Sequence, residues 1–295
     1  MTKSNTQPTA GHRIRVLFAV LLALVVAGCT TIRFTYNNGD TLLYWWINAY
    51  VDLEGEQSDV VKKDIDKVFA WHRQTQLHDY AALLQKAKQQ LNGPVTPQAL
   101  HGLMDDVKAR GQRLALHAAP QLADLARSLQ PDQIGNLEEK FAKNNRDYRR
   151  KFMSGDPEQR KKIRYKKTME QLKIWFGSFS NEQEDAIRRL SDARPLDNEV
   201  WLQERMRRQR TIVDLVKRVQ SQRLDKPATV ALIENTIRET FNRLDTPERK
   251  ANYDAQLKFY SDIIRLTTPE QKAHAQQRMQ GWIEDMNTLA REKQT

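Results

Sequence analysis

The sequence predicts an all-α protein: an elongated antiparallel helical bundle of about nine or ten helices after a cleaved signal peptide. Three observations carry that prediction. Apolar side chains recur every three or four residues along nearly the whole chain, the spacing of one face of an α-helix. No stretch sustains the apolar–polar alternation of a half-buried strand. Gly (11) and Pro (10) are too few among 295 residues for the many turns of a sandwich or barrel.

The elements follow in order. Lys3, His12, Arg13 and Arg15 form a basic start, and Val16 to Ala27 is an unbroken apolar run of 12 residues. A bilayer-spanning helix needs about 20, so the run fits the core of a signal peptide instead. Val26-Ala27-Gly28-Cys29 follows directly and resembles a bacterial lipobox: an aliphatic residue, two small ones, then Cys. The resemblance implies cleavage before Cys29 and acylation of its thiol and amine. Thr30 stands where an Asp would retain a lipoprotein in the inner membrane. The implied address is therefore the outer membrane, lipid-anchored, on the periplasmic side. The single Cys excludes an intramolecular disulfide and a Cys-based zinc cluster.

Leu42-Leu43-Tyr44-Trp45-Trp46-Ile47, continued by Ala49-Tyr50-Val51 and Leu53, begins about ten residues after Cys29. On a helix these side chains point in nearly every direction. The segment reads either as a central core helix or as an interfacial aromatic anchor. Narrow stripes follow: Leu77, Tyr80, Leu84, Ala87, Leu91; then Leu100, Leu103, Val107, Leu114, Ala118; then Ile134, Leu137, Phe141, Tyr148, Phe152. Further stripes are Val230, Ile233, Ile237, Phe241, Leu244; then Tyr253, Leu257, Tyr260, Ile264; then Ala275, Met279, Trp282, Met286, Leu289. Thr96-Pro97, Asp156-Pro157, Thr246-Pro247 and Thr268-Pro269 each place a capping side chain before a first-turn Pro. Ser180 with Gln183 and Thr268 with Gln271 have capping-box spacing. Ala193-Arg194-Pro195-Leu196-Asp197 divides an N-terminal helical region (29–194) from a C-terminal one (195–295), unless the two form one continuous domain.

Charge is concentrated. The chain from residue 29 on is net +8, while residues 140–167 alone hold 12 basic and 3 acidic residues, net +9. Lys140, Lys143, Arg146, Arg149, Arg150 and Lys151 lead into the turn Ser154-Gly155-Asp156-Pro157; Arg160, Lys161, Lys162, Arg164, Lys166 and Lys167 lead out. An antiparallel hairpin here brings both basic arms to one tip. Arg149, Arg150, Lys151, Arg160, Lys161 and Lys162 are the candidate residues for an anionic partner. Anionic lipid, lipopolysaccharide or peptidoglycan fits the implied compartment; nucleic acid does not.

No catalytic constellation is present: no nucleophile-elbow Ser, no phosphate-cradling loop, no His pair at ligand spacing. His72 and His78 are six apart, and His101 with Asp105 is only a lone i, i+4 pair. The chain reads as non-enzymatic, without metal or cofactor.

Tyr36-Asn37-Asn38, Leu42-Leu43-Tyr44-Trp45-Trp46, Tyr50-Val51-Asp52-Leu53 and Trp71-His72-Arg73 after Cys29, with Leu77, Tyr80 and Ala81, resemble a family of proteobacterial lipoproteins classed as a domain of unknown function. The resemblance implies helicity and localisation, and carries no activity or catalytic residue. His78 departs from it, standing where the family has Pro. Leu129-Gln130-Pro131-Asp132-Gln133, Phe179-Ser180-Asn181-Glu182-Gln183 and Thr267-Thr268-Pro269-Glu270-Gln271 are similar to the Leu-Thr-x-x-Gln motifs of helical periplasmic stress chaperones; they are also ordinary capping boxes. The expected function is a non-enzymatic envelope lipoprotein, a binding or scaffolding module with a basic tip. A muramidase-like cell-wall enzyme and a periplasmic stress chaperone are the alternatives.

Overall fold

The structure, a computed structural model, describes residues 31–195, 198–242 and 247–292. Residues 1–28, Cys29, Thr30, Leu196, Asp197, Leu244 and Thr246 lie outside the described residues. Within them are thirteen α-helices and no strand. They are α1 (Thr31–Asn37), α2 (Gly39–Val51), α3 (Glu56–Thr75), α4 (Leu77–Gln90), α5 (Pro97–His117), α6 (Ala119–Ser128), α7 (Pro131–Phe152), α8 (Pro157–Phe176), α9 (Asn181–Asp192), α10 (Asn198–Ser221), α11 (Lys226–Asn242), α12 (Pro247–Leu266) and α13 (Pro269–Arg291).

The fold is all-α and elongated, and it has more breaks than the nine or ten helices read from the stripes. Two breaks divide what reads as continuous helix. At Ala118 the chain turns because Pro120 sits in the first turn of α6 and has no N–H with which to continue α5. At Gln76 (φ −108°, ψ −30°) it turns between α3 and α4 with no Pro in the first turn of α4. Thr96, Asp156 and Thr268 cap α5, α8 and α13 with side-chain oxygens, as their spacing requires.

Four helices open on one pattern: an apolar residue or Thr, a capping residue, any residue, an acid, then Gln. These are Leu53–Gln57, Leu129–Gln133, Phe179–Gln183 and Thr267–Gln271. In each, the Gln Oε1 accepts the backbone N–H of the residue three positions before it, at 3.1 Å for Glu54, 2.9 Å for Gln130, 3.0 Å for Ser180 and 2.9 Å for Thr268. The amide nitrogens then join the helices in pairs. Gln133 donates to the Asp52 carbonyl at 2.9 Å and Gln57 to the Ser128 carbonyl at 2.7 Å, with the two amides 2.8 Å apart. Gln271 donates to the Ser178 carbonyl at 2.6 Å and Gln183 to the Leu266 carbonyl at 2.8 Å, their amides 2.9 Å apart. The second clasp repeats the first.

The repetition extends through the fold. Exchanging α2–α7 with α8–α13 maps most of the helix contacts onto one another; the packing of α3 on α4 and α13, and of α6 on α5 and α10, has no equally extensive counterpart. α2 packs on α3 and α7, as α8 packs on α9 and α13; α3 meets α6 as α9 meets α12. Between the halves, α4 lies along α13 as α10 lies along α7, and α5 meets α12 as α11 meets α6; α5 and α11 pair with each other. Helices from both sides of position 195 therefore pack together throughout. The core is divided accordingly. One cluster takes Val51, Val61, Ile65, Leu137 and Val213; the other takes Phe176, Ile187, Phe259, Ile263 and Ala275. A smaller group, Ala119, Ala123 and Ile233, holds α6 to α11 between them. α2 and α8 even end alike, on the positive-φ residues Asp52 (φ 53°) and Gly177 (φ 76°). The structure is two interlocked six-helix halves, preceded by α1 and joined at residues 153–156.

Candidate functional site

The aromatic segment is neither buried all round nor exposed all round. Leu43, Tyr44, Ile47 and Tyr50 pack against the first core cluster and Val51 is buried within it. The opposite face of α2 turns outward: Leu42 is 48% exposed, Trp45 62% and Trp46 60%, and Phe34 on α1 is 72% exposed. This corrects the reading of a central core helix. The inner stripe alone faces the core, so among the described residues the tryptophans on the other side stay largely uncovered. Basic side chains lie over the tyrosines of the inner stripe. Lys62 Nζ lies 4.9 Å from the Tyr44 ring centre and Lys140 Nζ 5.7 Å from that of Tyr50. Tyr50 also packs edge-on against Phe141 and accepts a hydrogen bond from Asn144 Nδ2 at 2.9 Å.

Those contacts fix the direction of α7. Asp52 meets Gln133, whereas Tyr50 meets Phe141 and Asn144, so α7 runs antiparallel beside α2. From Asn144 to Lys151 is about 10 Å of helix, and from Tyr50 back to Leu42 about 12 Å. The last turn of α7 therefore reaches the end of α2 that carries Leu42 and Trp45.

That last turn starts the basic tip, which is not a packed hairpin. α7 lies on α2 and α10, whereas α8 lies on α9 and α13. The turn joins the two halves, and each helix is drawn into its own half: Leu137 into one core cluster, Tyr165, Met169 and Leu172 into the other. The six candidate residues differ in their surroundings. Arg150 pairs with Asp147 at 2.8 Å and Lys161 with Glu158 at 2.8 Å. Arg149 is exposed and touches Met206 Sδ at 3.4 Å; Lys151 lies over the Phe152 ring at 5.3 Å. Lys162 is exposed, and Arg160 is half-buried. Arg164 is spent elsewhere, donating to the carbonyls of Ser191, Arg194 and Pro195 and so closing the C-terminus of α9.

A second convergence lies beneath α1. The Tyr36 hydroxyl is 2.9 Å from His72 Nδ1, and Arg73 donates to Asn37 Oδ1 at 2.8 Å. Burial pushes the Tyr36 phenol up to about 12 and holds the His72 imidazole below its usual value, so both partners of this hydrogen bond favour their neutral forms. The Arg73 guanidinium sits 5.1 Å from the Tyr36 ring centre, and Trp71 stacks on His117 at 3.7 Å. The Tyr36-Asn37 and Trp71-His72-Arg73 motifs thus meet in space. Beside them Ile32, Tyr36, Leu43, Phe69, Leu114 and Ala115 help line a groove of about 650 Å³ whose walls are almost wholly carbon. Sequence reading missed this groove. Ile32 and Tyr36 one turn apart, with Phe34 on the other face, were its only signal.

The remaining sequence candidates fall apart spatially. His101 makes a 2.9 Å surface pair with Asp105, and His78 bonds Asn287 instead of approaching His72. No group of three metal-ligating side chains occurs among the described residues. Gln133, Gln183 and Gln271 are held inside the clasps as capping boxes. Asp285 is nearly buried, its Oδ2 lacks a partner, and burial raises its pKa. It lies on α13 outside the grooves described above. No described helix is long and apolar enough to cross a membrane.

Residues 49–237 match the family of unknown function DUF6279. The match spans well over half of the chain, and the chain belongs to this family. No curated protein and no solved structure matches it.

Proposed function

We propose that this DUF6279 member is a lipid-anchored envelope lipoprotein of the outer membrane, facing the periplasm, and that it works as a non-enzymatic binding or scaffolding module. One observation carries the reading. The exposed Phe34 on α1 and Leu42, Trp45 and Trp46 on α2 lie 5 to 17 residues after Cys29, and the α2 residues stand at the end toward which the basic tip runs. Trp is suited to the interface between head groups and acyl chains, and cations beside it add attraction to an anionic surface. Each basic side chain near such a surface contributes about 1 kcal/mol, so several acting together outweigh any single exposed ion pair. In this reading Cys29 carries the acyl chains, and Arg149, Arg150, Lys151, Arg160, Lys161 and Lys162 meet phosphate or carboxylate groups of lipid, lipopolysaccharide or peptidoglycan. The protein takes no cofactor and no nucleic acid.

The test uses two variants. Cys29→Ala is expected to lose radiolabelled palmitate and leave the outer-membrane fraction; undiminished labelling sinks the lipoprotein reading. Reversal of the six tip charges in the unlipidated chain is expected to abolish binding to anionic vesicles or lipopolysaccharide at low salt. Binding equal to that of the unaltered tip makes the patch a solvated face.

A further inference from the structure

The groove beneath α1 is unused by the reading above. Its walls come from α1, α2, α3 and α5, and the small Ala115 on α5 and Ala118 just beyond it leave open space that larger side chains would fill. A buried water needs two to four polar partners. Within this wall the Tyr36 hydroxyl and His72 Nδ1 already bond each other. The groove therefore suits hydrocarbon, and its size, about 650 Å³, is that of a small-molecule site. The wall is also firm on one side, since the Phe69 ring rests against Gly39 so closely that a Cβ there would sit 2.8 Å away.

We propose that this groove holds one fatty-acyl chain of the protein's own Cys29 lipid. The inference rests on the lipoprotein reading above and extends it. The first residue of the groove's wall is Ile32, three residues beyond Cys29, so the acylated residue is at most about 11 Å of chain from the groove. Ile32, in the first turn of α1, already forms part of the wall. A tether this short gives the chain a high effective concentration at the groove, so occupancy needs only modest intrinsic affinity. A chain held here is withdrawn from the bilayer. Phe34, Trp45 and Trp46 then supply attachment that the missing chain would otherwise give.

The test compares the lipidated full-length product with the chain from residue 30 onward, which lacks leader and lipid. The probe is cis-parinaric acid, a linear fluorescent fatty acid. The unlipidated chain is expected to bind one equivalent, and Ala115→Trp in that chain to abolish the signal. The lipidated product, with its acyl mass verified by mass spectrometry, is expected not to bind, because its own chain occupies the site. Binding by both forms overturns the proposal and assigns the groove to a chain from the membrane. Failure of the unlipidated chain to bind also overturns it. An absence of acyl mass defeats the lipoprotein reading itself, and the two failures are thereby separated. If Ala115→Trp loses helicity, Thr35→Trp on the roof provides the same steric block from an exposed position.

Discussion

Gln57, Gln133, Gln183 and Gln271 each satisfy two needs with one amide: the oxygen closes the helix start and the nitrogen ties it to another helix start. Removing one leaves a backbone carbonyl and an N–H without a partner in poorly solvated surroundings. Gln133→Ala is expected to cost about 1–3 kcal/mol, read as a lower urea midpoint. Gln98→Ala on the exposed side of α5 should stay within about 0.5 kcal/mol. His72 gives a pH signature. Its folded pKa is depressed by burial, with Tyr36, Arg73 and Tyr80 around it. The unfolded chain then takes up the proton first, so the stability tied to neutral His72 is present above the unfolded value of ~6.5 and is lost as pH falls through the folded value. His72→Gln should flatten that part of the stability profile. Asp285 works in the opposite sense. Its carboxyl is raised by burial, so its contribution is greatest in acid and declines as pH rises through the folded value. Asp285→Asn should therefore stabilise the protein at neutral pH and show little effect in acid, measured by thermal unfolding at both.

At the scale of elements, α2 shows what a helical pattern can and cannot say. Leu43, Tyr44, Ile47 and Tyr50 form its inner stripe, Leu42, Trp45 and Trp46 its outer one. In sequence the two stripes are equally apolar, and only the packed neighbours reveal which one is left over. Trp45→Ser with Trp46→Ser removes only the packing of Trp46 on the Tyr50 ring, so unfolding free energy should change by about 1 kcal/mol or less. Vesicle binding by the unlipidated chain should fall with helicity intact; unchanged binding would remove the aromatic face from the proposed function. Helix positions and caps were legible because Thr96-Pro97, Asp156-Pro157 and the three-to-four spacing act locally. The basic tip was legible as charge and misread as packing. Charge density is written in Arg149 to Lys162, but whether α7 and α8 lie side by side depends on the core into which each is drawn. The groove was illegible for the same reason, since its walls join residues 32–43, 68–72 and 111–118.

For the whole molecule, the duplication hides because its two copies share roles and not residues. Val61 and Ile187 both lie four residues after a clasp Gln and are both buried; so are Leu137 and Ala275. Partner glutamines are 76 residues apart in one half and 88 in the other, so no fixed period marks the repeat. Interlocking has a mechanical consequence. α4 completes the second half by lying along α13, and α10 completes the first by lying along α7. Neither half keeps its core if the other leaves: Val213 of α10 belongs to the first cluster, and Leu91 beyond α4 to the second. Unfolding should therefore be a single transition, although the chain is longer than most two-state domains. The six Trp residues allow this to be read separately, with Trp45, Trp46 and Trp71 in the first half and Trp175, Trp201 and Trp282 in the second. Variants keeping only one set should give the same urea midpoint. Cleavage engineered into the exposed Ser154-Gly155 turn should leave the two fragments together on a sizing column, because the surfaces between α4 and α13 and between α7 and α10 remain intact. Two separated midpoints, or fragments that part without denaturant, would show that the halves are neighbours and not one cooperative unit.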